Sequence, residues 1–180
     1  SYQGVDYASE TGVKLVIVLD CGIKAIQEIR YAKEKGIDFI VCDHHVPDDE
    51  LPPAVAILNA KREDSTYPFK HLSGCGVGFK LMHAFALSNE IPFTELIPSL
   101  DLVAISTASD IVPIMGENRV LTYYGLQQLN SNPSIGLRAI IQVCKLSDKV
   151  LTINDIVFKI GPRLNAAGRM SSGKKAVDLL

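Results

Sequence analysis

Five side chains stand out by type and position. Asp20 closes the apolar run at residues 14–19, and Asp43-His44-His45 closes a second run at 38–42, with Pro47-Asp48-Asp49 just beyond. A third acid, Asp110, follows the apolar stretch 102–105 within Thr107-Ala108-Ser109-Asp110-Ile111-Val112-Pro113. Carboxylates and imidazoles that converge on one edge form a mixed oxygen and nitrogen site for a divalent cation. Imidazole is a poor ligand for magnesium and a better one for manganese, so Mn²⁺ is the first expectation and Mg²⁺ the second. Two such ions can polarise a phosphoryl oxygen, generate hydroxide at neutral pH and stabilise a leaving oxygen. Each residue also has a plainer reading. An aspartate at a strand end is commonly a turn or capping residue, and an isolated histidine is commonly structural. Chemistry alone leaves both readings open.

A second candidate group lies near the C-terminus, in Gly161-Pro162-Arg163-Leu164-Asn165-Ala166-Ala167-Gly168-Arg169-Met170. Small residues allow close backbone approach and guanidinium groups grip phosphates with two hydrogen bonds. A tight helix-packing segment with solvated arginines fits the same letters. Ser73-Gly74-Cys75-Gly76-Val77-Gly78 resembles a phosphate-cradling loop before a helix but lacks a P-loop lysine, and packing is the favoured reading. Lys61-Arg62 reads as a solvated pair, and His71 and His83 as structural or surface residues.

The elements that must position these groups follow from the apolar pattern. The run 14–19 is rich in β-branched residues and continuously apolar, which predicts a strand buried on both faces of a parallel sheet. Residues 25–35 have helical spacing, with Ile26, Ile29 and Ala32 on one face, and Gly36 fits the helix end. Residues 38–42 form a second strand, completing a βαβ unit with parallel strands, and 54–58 a third. Helices are predicted at 76–88, 93–109 (interrupted at Pro98), 118–129, 135–144 and 153–160. The fold class is therefore α/β: a small parallel sheet with flanking helices, leading into a mostly helical C-terminal half. In an open parallel sheet the strand C-termini share one edge, where ligands bind, so Asp20 and Asp43-His44-His45 are predicted to be neighbours.

The chain has 180 residues, 47% of them hydrophobic and 21% charged, which is an ordinary globular composition. No stretch reaches the roughly 18 apolar residues of a membrane span, and no leader pattern is visible. Four well-separated cysteines without a C-x-x-C pair point to reduced thiols in a cytoplasmic protein. The net charge of −2 gives no global footprint for nucleic acid, so such a claim must rest on a local site. An opening at Ser1 and an end in the apolar pattern 176–180 suggest a piece of a longer protein.

Five segments occur together and in order: Leu19-Asp20-Cys21-Gly22-Ile23; Asp43-His44-His45 with Leu51-Pro52-Pro53-Ala54; Tyr67-Pro68-Phe69-Lys70-His71-Leu72-Ser73-Gly74; Ala108-Ser109-Asp110-Ile111-Val112-Pro113 with Gly116-Glu117-Asn118-Arg119; and 161–169. The set resembles the DHH phosphoesterase superfamily, specifically its RecJ branch, over nearly the whole chain. The Asp-His-His triplet is only moderately specific. The last motif and the Tyr-Pro-Phe segment favour this branch over sibling pyrophosphatases and phosphodiesterases of short oligonucleotides or cyclic dinucleotides.

The resemblance implies a two-metal, Mn²⁺- or Mg²⁺-dependent exonuclease that degrades single-stranded DNA from its 5′ end in recombination and repair, with DNA-repair proteins as possible partners. By position, Asp20 matches the acid that bridges the metals, and His44 and Asp110 match further ligands. His45 matches the residue beside the metals that supports the scissile phosphate, with Asp43 orienting its neighbours. Arg163, Asn165 and Arg169 match a substrate-facing motif. The family's Asp-x-Asp motif from an earlier strand is absent from this sequence, as are its smaller second domain and its oligonucleotide-binding domain. The implied state is a partial DHH domain over 1–180, with a sheet portion at 1–60 and a helical portion at 74–180, inactive alone.

Overall fold

The computed structural model of the chain describes residues 1–170, and within the last helix it describes side chains as far as Ala166. The chain divides into two compact units, Ser1–Met82 and His83–Leu180.

The first unit is built on β1 (Leu15–Leu19), β2 (Asp38–Cys42) and β3 (Ala56–Leu58), paired in that order and all parallel. Three helices accompany the strands: α1 (Tyr2–Glu10), α2 (Ile26–Glu34) and the start of α3 (Gly74–Ser88). The α2 crossover lets β2 return alongside β1, and Gly36, at φ +70°, makes the left-handed turn after the helix. Val5, Ala8, Ile29, Ala32, Phe39 and Val41 are buried between α1, α2 and the sheet. Each large apolar side chain buried there contributes about 1.5–3 kcal/mol.

The expectation for β1 needs correction. Val16 and Val18 pack into this core, but Leu15, Ile17 and Leu19 are 47–51% exposed. Strand β1 is an edge of the sheet, and α1 and α2 both lie on its Val16 and Val18 face. A continuous apolar run states that both faces avoid water well, not that both are covered.

The second unit is helical, as expected. The segment around Pro98 forms two short 3₁₀ turns, Phe93–Glu95 and Ile97–Ser99, before α4 (Leu100–Ser109). Helix α5 (Gly116–Ser131) packs closely on α4 because Gly125 has no side chain: a Cβ there would overlap the Leu100 carbonyl and Ala104. Then come α6 (Ile135–Val143), the single turn α7 (Ile153–Asp155), a π-helical turn (Ile156–Ile160) and α8 (Gly161–Met170). Ile105, Leu129, Leu137, Ile140, Ile156 and Ile160 form the centre of its core.

Asp155 fixes the start of the last helical stretch. It completes a capping box with Thr152, accepting from its backbone N–H at 3.1 Å and its hydroxyl at 2.9 Å, and it pairs with Lys149 and Lys159. Lys149 foremost, then Lys159 and Thr152, against opposing burial, hold its carboxyl well below the usual aspartate range. A lowered carboxyl value means that the stabilisation is present in full above the ordinary value of 3.8. It is lost as the pH falls from there through the folded-state value. Asp155→Ala should lower the unfolding free energy in urea by about 1–2 kcal/mol at neutral pH. The difference from the unaltered chain should shrink as the pH drops below about 4.

Candidate metal centre

The three strands end in one row. Leu19 is the register partner of Cys42, and Cys42 of Leu58, so Asp20, Asp43 and Asn59 are each the first residue past a strand on the same edge. Backbone hydrogen bonds carry the pairing one step further, from the Asp20 N–H to the Cys42 carbonyl at 2.9 Å and from the Asp43 N–H to the Leu58 carbonyl at 3.0 Å. Asp20 has φ +63°, a left-handed conformation uncommon for a residue with a side chain. There the chain leaves the strand sharply, and the carboxylate stays at the sheet edge, 55% exposed.

Asp43 is 1% exposed and gathers the surrounding donors. Its Oδ2 accepts from the Ile23 N–H at 2.9 Å. Its Oδ1 accepts from the His44 N–H at 2.8 Å, the His45 N–H at 3.2 Å and the His45 Nδ1 at 2.7 Å. Burial pushes its carboxyl up, but the hydrogen bonds from Ile23, the His45 ring and the backbone of His45 and His44 together bring it below the usual range. One carboxylate thus ties the Gly22-Ile23 turn after β1 to the histidine pair after β2. Near it, burial pushes the Cys42 thiol up to about 11, so that thiol is inert at neutral pH.

The histidines are oriented by what they donate to. A carbonyl can only accept, so His44 Nδ1, 3.1 Å from the Leu72 carbonyl, carries a proton and leaves Nε2 as the atom that could ligate a cation. Nε2 lies 3.1 Å from Asp20 Oδ1. A lone pair and a carboxylate at that distance need a proton or a cation between them. His45 repeats the logic: Nδ1 donates to the ionised Asp43, and Nε2 is left as the basic atom. Its side chain is 57% exposed. One ligand atom each from Asp20, His44 and His45 lies within 4.8 Å of the others. A shallow cleft of about 430 Å³, lined by Asp20, Cys21, Ile23, Asp43 and His45, opens over them. These donors fit a divalent cation that accepts imidazole nitrogen.

Of the residues singled out in the sequence, Asp20, Asp43, His44 and His45 come together in the first unit. Asp110, Arg163, Asn165 and Arg169 belong to the second. Asp110 is the exposed C-terminal residue capping α4, followed by Ile111 at φ +54°. Gly161 packs against the Ser109 side chain, which brings the start of α8 to the same end of α4. Arg163 and Asn165 are exposed on α8, and Arg163 donates to the Lys159 carbonyl at 2.9 Å. The Arg169 side chain lies outside the described residues. Lys61-Arg62 is less free than expected: Arg62 is held by Asp64 and by the Ile57 carbonyl.

Three supporting residues were not assigned to the site from the sequence. Asn59 is buried and donates from Nδ2 to the His45 carbonyl at 2.8 Å, while its Oδ1 accepts from the Lys61 N–H at 2.8 Å. It sits in the same strand-end row as the two acids, so the rule that located Asp20 and Asp43 would also have located Asn59. Leu72 acts through its backbone carbonyl, and Gly74 acts by lacking a side chain.

Fold and centre together define a parallel α/β domain whose strand ends carry a carboxylate and imidazole cluster that could hold a divalent cation. The sequence profile described as "DHH family, N-terminal domain" matches residues 2–107, and the chain belongs to that family. It is 43% identical over 171 residues to the single-stranded-DNA-specific exonuclease RecJ of Bacillus subtilis, an alignment covering 95% of this chain and 21% of that protein. It is 37% identical over 190 aligned residues to the protein of the same description from Escherichia coli, covering 100% of this chain and 33% of the relative. The crystal structure of RecJ in complex with Mn²⁺ from Thermus thermophilus matches with a TM-score of 0.84 at 31% identity, covering 100% of this chain and 26% of that one. The chain therefore spans 21–33% of the length of these curated relatives.

The Asp43 arrangement predicts an asymmetric effect of a conservative change. Asp43→Asn keeps the shape but presents an amide N–H₂ to one set of donors. Thermal and urea unfolding should show a loss of about 1–3 kcal/mol, with faster hydrogen exchange at the Ile23 amide. Unaltered stability and exchange would show that the carboxylate does not tie the two turns together.

Proposed function

We propose that this chain is the DHH portion of a metal-dependent exonuclease that hydrolyses phosphodiester bonds of single-stranded DNA from the 5′ end. It would act in the cytoplasm in recombination and repair, alongside other DNA-repair proteins. The observation that carries this reading is the Asp20, His44 and His45 cluster over a buried Asp43, in a chain whose relatives are described as single-stranded-DNA-specific exonucleases.

In this reading Asp20 and His44 hold a divalent ion, Mn²⁺ in preference to Mg²⁺, and Asp110 is a further ligand in a whole protein that holds two ions. Bound there, the ions would supply Lewis acidity and a hydroxide nucleophile. The work of this chain's own residues is positional and protonic. Asp43 fixes the His45 ring through Nδ1, so that His45 presents Nε2 to the scissile phosphate from the open cleft. Arg163, Asn165 and Arg169 bind the DNA backbone. Beyond this, among the described residues no helix is long and apolar enough to cross a membrane.

The test is an assay of the whole protein on 5′-labelled single-stranded DNA. Chelation should abolish activity and added Mn²⁺ should restore it. His45→Ala should lower kcat by about 10²–10⁴-fold, and Asp110→Ala should remove turnover. Activity that survives Asp110→Ala would sink the reading. A preference for dinucleotides or pyrophosphate over long strands would move the assignment to a small-nucleotide phosphodiesterase of the same family.

A further inference from the structure

The turn entering α3 touches both principal ligands. Ser73 occupies the position before the helix: its Oγ accepts from the Gly76 N–H at 3.1 Å, and its carbonyl accepts from the Val77 N–H at 2.9 Å. Ser73 is fully buried, so this cap is locked in place. On one side of it, the Leu72 carbonyl takes the His44 Nδ1 proton. On the other side, Gly74 lies directly against Asp20. A Cβ at position 74 would overlap the Asp20 Oδ1, Cβ and Cγ atoms.

We propose that Leu72-Ser73-Gly74 is a positioning element of the centre, in which Leu72 aims His44 Nε2 at Asp20 and Gly74 makes room for the Asp20 carboxylate opposite it. The inference rests on the reading of Asp20 and His44 as ion ligands. It adds that the gap of 3.1 Å between them is set from a third place in the chain. Rotation of the Asp20 side chain does not relieve the overlap, because the intruding methyl also meets the Asp20 Cβ, which rotation leaves in place. The Asp20 backbone is in the left-handed region, and its N–H is bound to the Cys42 carbonyl. A methyl at 74 therefore moves the carboxylate out of line with His44 while leaving both ligands in the sequence.

Gly78, one turn further along α3, supplies the control. A Cβ there would press on the Leu19 side chain, with Cδ2 at 2.9 Å, and not on the carboxylate. Both Gly→Ala changes crowd the same helix against the same strand, so a general packing defect should appear in both. Only Gly74→Ala should act on the ion.

The experiment titrates Mn²⁺ into the 180-residue chain, reading free ion by its paramagnetic resonance signal, with thermal midpoints measured in parallel. Gly74→Ala should weaken Mn²⁺ binding by about 10–100-fold, the range for lost supporting contacts at metal sites. Gly78→Ala should bind within about threefold of the unaltered chain at a comparable loss of midpoint. Unchanged affinity in Gly74→Ala, or equal losses in both variants, would overturn the positioning role alone. Failure of the unaltered chain to bind, or binding that survives Asp20→Ala, would overturn the ion site and this inference with it. A measurement without any variant checks the other half. Nitrogen-15 spectra of the histidine rings should show the His44 proton on Nδ1, and a proton on Nε2 alone would contradict the role of Leu72.

Discussion

A carboxylate removed from water costs several kcal/mol unless donors replace its hydration. Asp43 meets that requirement with four N–H groups, drawn from the turn after β1 and from both histidines after β2. Those contacts follow directly from burying the charge, and they also fix the geometry of the site. The parallel register of β1 and β2 brings the two loops to one edge, and the need to satisfy Asp43 holds them in one arrangement. His45 acquires its tautomer from this acid, and the backbone of His44 acquires its path.

The same principle recurs with different atoms. His44 is oriented by a backbone carbonyl, Asp20 by the absence of a side chain at Gly74, and the His45 backbone by the Asn59 amide. None of these contacts is an exposed ion pair of the kind that contributes little to stability. Exposed pairs do occur nearby, Lys24 with Asp48 and Arg30 with Glu50, but they tether the loop after the histidines rather than Asp20, His44 or His45. The centre is thus supported mainly by buried or half-buried hydrogen bonds and packing.

Much of this was legible in the sequence, and the limits have physical reasons. Short apolar runs ending in acids identified the strands and the row containing Asp20 and Asp43, because a parallel sheet presents its C-terminal ends together. The same runs misjudged β1, since apolarity reports what a face tolerates and not what covers it. Leu72 escaped notice because its contribution is a carbonyl that every residue possesses. Gly74 was readable as a small residue in a packing turn, but its packing partner, a candidate ligand, is visible only in three dimensions. The segment 161–169 left open a close approach to phosphate or a tight helix-packing segment, and 161–170 is helical. Pro162, which has no N–H to offer, is the second residue past the π-helical turn Ile156–Ile160, where the hydrogen-bond ladder already changes step.

The central claim is that Asp20 and His44 face each other across the place of a divalent ion. Diffraction from crystals of the chain soaked in Mn²⁺, with anomalous differences collected at the manganese edge, tests it most directly. The account predicts an anomalous peak between the Asp20 carboxylate and His44 Nε2, with the His44 Nδ1 contact to Leu72 intact. A map with no peak there, or a peak ligated by other side chains while Asp20 and His44 remain in direct contact, would contradict it.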